Sequence, residues 1–220
     1  VNDQPSLYAL VSQVDTCAIC DVAKETRVMS TALRCRSANP DICGPALTVR
    51  CRDDIFGLIL AIEQAKPGDV LVVDGGGREI ALAGELFARA ALARGVAGLI
   101  VDAAYRDLAY VATCELPIYS RHTSPMAGTA QRLGVINEPV TCGGVTVSPG
   151  DLVIADHDGI IVLDPSTAEA TLLAAADVKR AEARFMDGLD AGGSLRTLLN
   201  MQEHAASLAA GQPSALRITA

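Results

Sequence analysis

Gly84–Asp107, GELFARAALARGVAGLIVDAAYRD, decides how the rest of the chain is read. It opens on Gly84-Glu85-Leu86-Phe87, closes on Arg106-Asp107, and places twenty residues between Glu85 and Arg106. Leu86 to Arg94 carries the Ala/Leu pattern of a helix, Gly95 stops it, and Gly98 to Asp102 is an apolar strand. A strand that follows a helix brings the chain back antiparallel, so its end lies beside the helix start. Glu85 and the Arg106-Asp107 pair are therefore expected to share one pocket.

The residue types define the chemistry expected there. The amides of Leu86 and Phe87 fall at a helix start, where N–H groups are unpaired and the dipole favours anions. Arg106 offers a planar fork suited to a carboxylate or enolate oxygen. Asp107 is a hard oxygen donor, fit for a Mg²⁺ that keeps several waters. Together they suit a small 2-oxo acid held through its carboxylate and keto oxygens.

Working outward, residues 43–52 (CGPALTVRCR) read as a strand entered through a Gly-Pro turn. Asp53 or Asp54 then caps a helix running through Ala65. Val70 to Asp74 is continuously apolar up to its last residue, as in a strand covered on both faces. Gly75-Gly76-Gly77 follows as a loop; its spacing is not that of a dinucleotide fingerprint, and no phosphate-binding GxxxxGK[ST] occurs. Strand, helix and the Gly98–Asp102 strand form a βαβ unit, expected to be parallel. Asp102 is either a partner of Arg106 or a loop cap. Leu116 to Tyr119 is a short strand, and in the loop after it Arg121 and His122 either reach the pocket mouth or are merely solvated. Residues 139–164 show turn signals about every eight residues, an antiparallel, barrel-like section. In it Asp156 and Asp158 read as turn formers rather than ligands.

At the N-terminal end, residues 6–24 read as one helix or two short ones, with Leu7, Leu10, Val11 and Val14 on one face. Cys17-Ala-Ile-Cys20 falls here without the second ligand pair a zinc site needs or the strand a thioredoxin-type site needs, so buried helix cysteines are expected. At the other end, Ser166-Thr-Ala-Glu169 reads as a capping box opening a helix to about Met186. Another helix starts near Ser194, and Gly211 and Pro213 close it.

Composition bounds the rest. The chain has 220 residues, enough for one substantial domain spanning 1–220, with helices over 165–211 at its end. Half the residues are hydrophobic, only 3% are aromatic and none is Trp, so Ala, Val, Leu and Ile must fill the core. A formal net charge of −8 argues against nucleic acid as a partner. No apolar run approaches the ~20 residues of a membrane helix, so no membrane partner is expected. VNDQPSLYAL lacks the charged and apolar regions of a secretory signal, and seven cysteines in a chain of this size read as free thiols; both point to the cytoplasm.

The acidic residue, twenty spacers and Arg-Asp of Glu85, Arg106 and Asp107 resemble the motif of the RraA-like family. More specifically they resemble its class II pyruvate aldolases, which cleave 4-hydroxy-4-methyl-2-oxoglutarate or 4-carboxy-4-hydroxy-2-oxoadipate. The resemblance extends through GPALTV (44–49), KPGDVLVVDGGG (66–77) and GGVTVSPGDLVIADHDGIIVLD (143–164), covering about residues 15 to 165. Glu85 stands where many such aldolases have Asp, and Tyr105 where a smaller apolar residue is usual; Tyr105 is expected to narrow the mouth. The resemblance implies an α/β fold of the swivelling β/β/α type, a mixed central sheet or barrel flanked by helices. It implies a divalent-metal-dependent lyase (Mg²⁺ or Mn²⁺ on Asp107) that releases pyruvate from a 4-hydroxy-2-oxo diacid and also decarboxylates oxaloacetate. Gly84, Glu85, Leu86, Phe87 and Arg106 would bind the substrate, with Glu85, Arg106 and Asp107 catalytic. None of Lys24, Lys66 and Lys179 lies in the motif, so no Schiff base is expected. A homotrimer or homohexamer is implied. The rival implication is a protein-binding regulator of a ribonuclease, since some family members inhibit RNase E; a metal enzyme on another 2-oxo acid is a third.

Overall fold

The structure, a computed structural model, describes residues 7–219; of the opening stretch VNDQPSLYAL read above for a leader, and of the helical reading over 6–24, the residues up to 6 lie outside them. The N-terminal half runs α1 (Leu7–Val11), α2 (Thr16–Val22), β1 (Arg27–Val28), β2 (Arg34–Cys35), β3 (Ile42–Arg50), α3 (Phe56–Gln64), β4 (Val70–Ala83), α4 (Glu85–Ala93) and β5 (Gly98–Tyr105). There follow α5 (Leu108–Val111), β6 (Ile118–Thr123), β7 (Val135–Ile136), β8 (Val140–Cys142), β9 (Val145–Val147), β10 (Leu152–Ala155), β11 (Ile160–Leu163), α6 (Pro165–Asp190), α7 (Leu195–Leu198) and α8 (Met201–Ala209).

The sheet order is β1-β11-β10-β3-β4-β5-β6-β2, with β7 added beside β3 and β8–β9 a separate hairpin. β3, β4, β5 and β6 are parallel neighbours, and antiparallel strands extend the sheet on both sides. This is the mixed α/β sheet flanked by helices that the sequence implies. Its two faces follow from the strand period of two. Leu71, Val73, Leu99 and Val101 point to the side where Leu58, Ile62, Ala88, Ala91 and Val111 of the helices pack. Val70, Val72 and Ile100 point to the other, against Val140, Cys142 and Val147 of the hairpin and Met29 and Leu33 of the β1–β2 connection. A third cluster packs α1, α2 and α6 over Ile154, Ile161 and Leu163.

Several boundaries differ from expectation for physical reasons. The three glycines are not a loop after a strand; they lie within β4, which continues to Ala83 beside β5 through register shifts. Gly76 and Gly77 have φ of +71° and +69°, the left-handed backbone that lets a bulge form and the ladder resume. A Cβ at Gly75 would lie 2.5 Å from that of Ala103, so the two strands meet there without room for a side chain. The helix expected to begin on Asp53 or Asp54 has Ile55 at its N-cap position, yet Asp54 Oδ1 still accepts from Phe56 N at 3.0 Å. Asp164, not Ser166, caps α6: its Oδ1 accepts from Ser166 N at 2.8 Å, with Pro165 in the first turn. The expected capping box at Ser166 is therefore unused, and a real one occurs at Ser194 with Thr197.

Candidate functional site

The turn back from β5 brings the motif residues together. Arg106 N donates to Ala83 O at 3.0 Å, fastening the end of β5 to the residue before Gly84. Glu85 N, the first free amide of α4, donates to Asp107 Oδ2 at 3.0 Å. Asp107 is thus held by the helix it faces, with φ of +59°, a conformation a non-glycine residue adopts only where its surroundings enforce it. Arg106 Nε lies 3.6 Å from the same carboxylate oxygen. Gly84 completes the arrangement. A Cβ there would overlap Asp107 Oδ2 and lie 2.8 Å from Arg106 Cγ, so these two side chains occupy the space any other residue would fill.

A cleft of 240 Å³ opens beside them, lined by Tyr105, Arg106, Asp107, Leu108, Thr123, Ser124 and Pro125. Both Arg106 and Asp107 are about two-fifths exposed, so their charged ends are available to a ligand. Of the amides expected to face an anion, Phe87 N donates back to Gly84 O at 3.1 Å, while Leu86 N has no partner among the described residues. Glu85, Leu86 and Phe87 are not among the residues lining this cleft; Leu86 and Phe87 line a separate shallow groove with Ile59 and Ile62. Glu85 Oε1 accepts from Arg89 Nε at 2.8 Å, and the Arg89 guanidinium lies over the Tyr110 ring at 4.5 Å. Glu85 Oε2 has no partner among the described residues.

Other expectations are settled by contacts. Tyr105 does not narrow the mouth with a protruding ring: it is fully buried, and its hydroxyl donates to Gly84 O at 3.2 Å. Burial pushes its phenol well above the ordinary tyrosine range, so it serves as a neutral donor that fixes Gly84. Asp102 pairs with Arg121 Nε at 2.5 Å and accepts from Gly143 N at 2.7 Å; it caps the β8–β9 turn and does not touch Arg106. Arg121 is consumed by that pair and His122 Nε2 lies 3.2 Å from Gly77 O, so neither lines the cleft. Thr123, Ser124 and Pro125, just beyond them on the chain, do. Asp156 forms its turn as expected, accepting from Asp158 N at 2.9 Å and from the Thr16 hydroxyl at 2.8 Å. On α2, Cys17 is exposed and Cys20 half-buried against the third cluster. Desolvation first, then Asp158 beside it, pushes the Cys17 thiol up to about 11, the opposite of a reactive thiolate.

The sequence alone did not reveal Arg89 or Tyr105 in its supporting role. The helical spacing of Glu85 and Arg89 could have revealed the first.

As to a metal, the described residues hold no group of three or more His, Cys, Asp or Glu able to form a protein cage. The donor present is one carboxylate, whose Oδ2 is used by Glu85 N and whose Oδ1 remains open. That set fits an octahedral hard cation completed by water and substrate oxygens; it does not fit zinc or a calcium cage.

Comparison with known proteins bears on the same residues. The RraA-like family model, described as Aldolase/RraA, matches residues 16–162, and the chain belongs to that family. A relative from Halalkalibacterium halodurans named "Putative 4-hydroxy-4-methyl-2-oxoglutarate aldolase" is 34% identical over 171 residues, covering 77% of this chain and 81% of its own. Among solved structures, the RNA-processing inhibitor RraA of Thermus thermophilis superimposes with a TM-score of 0.64 at 28% identity, over 67% of this chain and 91% of that one. Streptomyces coelicolor RraAS2, an unusual member of the RNase ES inhibitor RraA family, gives a TM-score of 0.71 at 29% identity, over 82% and 95%.

Proposed function

We propose that the protein is a divalent-metal-dependent pyruvate aldolase that cleaves a 4-hydroxy-2-oxo diacid and decarboxylates oxaloacetate as a second activity. The observation that carries this reading is Gly84: it has no room for a Cβ because Arg106 and Asp107 fill that space at a helix start. A pure binding surface has no need of that juxtaposition.

Asp107 Oδ1 would hold the metal, with the substrate's oxygens and waters completing its shell. A metal bound there supplies Lewis acidity to the keto oxygen of the bound acid. Arg106 presents its fork to the same end of the substrate and stabilises negative charge as the C–C bond breaks and electrons flow toward the 2-oxo group. Leu86 N–H, at the positive end of α4, donates to the substrate carboxylate. Cleavage needs the 4-hydroxyl proton removed and the carbon of the leaving enolate protonated. Glu85, through Oε2, holds the water that carries this proton, while Arg89 fixes Oε1. Oxaloacetate loses CO₂ to give the same enolate, so Arg106 and Asp107 serve both reactions.

A cytoplasmic location and assembly as a trimer or hexamer belong to this reading. They rest on the family, on the free thiols, and on the apolar side chains left exposed on the C-terminal helices. Among the described residues no helix is long and apolar enough to cross a membrane. The alternative, a protein-binding regulator like the ribonuclease inhibitors above, draws on one feature: Leu86, 74% exposed, beside a shallow groove with Ile59, Ile62 and Phe87. The test is pyruvate release from oxaloacetate and from a 4-hydroxy-2-oxo diacid, with Mg²⁺ and after exhaustive chelation. Metal-dependent release from both supports the aldolase; no release from either removes it.

A further inference from the structure

On a chain with formal net charge −8, two arginines meet at one buried carboxylate outside the cleft. Arg50 and Arg52, at the carboxyl end of β3, converge on Asp74 of β4. Arg50 Nε lies 3.3 Å and Arg52 Nη2 3.4 Å from Asp74 Oδ2. Asp74 is buried, and its Oδ1 also accepts from Gly76 N at 3.0 Å. Two guanidiniums against one carboxylate leave a positive charge in excess. Both contacts are long, so donors remain to spare. Arg50 uses Nη2 on Pro139 O at 2.9 Å, and Arg52, more than half exposed, has no other partner among the described residues.

A 340 Å³ cleft lies in front of this pair, and its opposite wall is the β8–β9 hairpin. Thr141 and Thr146 are cross-strand partners there, so their side chains share one face; both line the cleft. Neither hydroxyl is hydrogen-bonded among the described residues. The glycine run gains a purpose here. A Cβ on Gly76 would lie 3.1 Å from Arg52 Nε, so the glycine lets the arginine lie against the backbone. The location is the carboxyl end of β3, where its parallel ladder with β4 stops at Arg50 and Asp74, and carboxyl ends of strands are where open α/β sheets bind ligands.

We propose that this cleft is a second binding site, for a small oxyanion, carboxylate or phosphate, gripped by Arg50 and Arg52 and hydrogen-bonded by Thr141 and Thr146. The forks supply directed, charged donors, and the bound anion neutralises the excess charge that Asp74 leaves. The volume is at the small end of ligand pockets and suits an anion of a few heavy atoms. The site shares no residue with the Arg106–Asp107 cleft and stands without the aldolase reading.

The test is calorimetric titration of the full chain with inorganic phosphate and, separately, with malonate, each against sodium chloride at matched ionic strength. Wild type and Arg106→Ala should bind at least one of the two saturably and equally well, and the preferred probe identifies the ligand as phosphate or carboxylate. Arg52→Ala should bind about tenfold more weakly or worse, as expected for loss of a charge-assisted contact. Thr146→Val, which leaves both arginines in place, should also weaken binding. Titration of Arg52→Ala and Thr146→Val like wild type would overturn the proposal, as would the absence of saturable heat with either probe. So would a fall in molecular mass of Arg52→Ala by light scattering, which would mean that a second copy of the chain covers the cleft.

Discussion

Gly84 is the residue at which the smallest change should have the largest effect on chemistry. Gly84→Ala places a methyl group where Arg106 and Asp107 now lie, so both must move. Displacements of about 1 Å cost on the order of a hundredfold in rate. Pyruvate release should fall at least that far, while a circular dichroism melt stays close to wild type, because the backbone there is extended (φ −164°) and open to any residue. Arg106→Lys keeps the charge and loses the fork, and should damage kcat despite its conservative look. Glu85→Gln discriminates further. If Glu85 holds the proton-carrying water, aldol cleavage should fall more than decarboxylation, which removes no hydroxyl proton; equal losses would show that the Glu85 carboxylate instead holds the metal's water shell or Arg106, since the amide that supports Asp107 is unchanged in Gln. The pairing of Glu85 with Arg106-Asp107 was legible in the sequence because a helix followed by a strand has one simple return path. Asp102, Arg121 and His122 were not, since their fate depends on partners more than 15 residues away that no local pattern encodes.

At the scale of elements, β4, β5, β10 and β11 show in the sequence as continuous apolar runs, as for strands covered on both faces, and α3 and α4 as helical spacing near 3.6. What did not show was how far each extends. β4 runs through three glycines because β5 lies beside it to restore the ladder, a tertiary effect. Asp164 wins the α6 cap over Ser166 because Pro165 in the first turn leaves no amide to be satisfied, and the preceding carboxylate reaches the next one. Asp54 shows how a loop is anchored. Burial alone would raise its carboxyl, but donors from Gln131 N, the Thr129 hydroxyl and Phe56 N bring it down from 3.8 to about 2. Its folded value lies below the unfolded one, so its contribution to stability is present above about pH 4 and is lost as pH falls through about 2. Asp54→Asn should lower stability at neutral pH and flatten the pH dependence of urea midpoints within that window; an unchanged acid slope would contradict the anchoring. On α6, Leu172 is fully buried and Leu195 beyond it is half exposed. Leu172→Ala should cost about 2–5 kcal/mol in urea denaturation. A cost near zero would mean that the third cluster is not packed as described.

The whole molecule divides into a packed core and a C-terminal end with no buried residue in α7 or α8. The three hydrophobic clusters stop at Val178. Met186, Leu195, Met201 and Leu208 are exposed along this end. In a trimer or hexamer those faces would have a partner. Leu208→Asp should then lower the mass seen by light scattering at micromolar concentration, with α6 and the sheet intact by circular dichroism. A mass unchanged from an oligomeric wild type would place the contacts elsewhere, and a monomeric wild type would remove the assembly altogether. The amphipathic spacing of these helices was readable in the sequence; that α7 and α8 bury no residue was not, because an apolar face looks the same whether it meets its own core or another subunit.

The central claim is that Asp107 brings a divalent cation to a 2-oxo acid held by Arg106, and that two reactions depend on it. It is tested most directly by measuring pyruvate release from oxaloacetate and from a 4-hydroxy-2-oxo diacid in wild type and in Asp107→Ala at saturating Mg²⁺. Both activities should fall together by several orders of magnitude, because several kcal/mol of charge stabilisation leave with the metal. Survival of either activity in Asp107→Ala, at a level near wild type, would contradict the account.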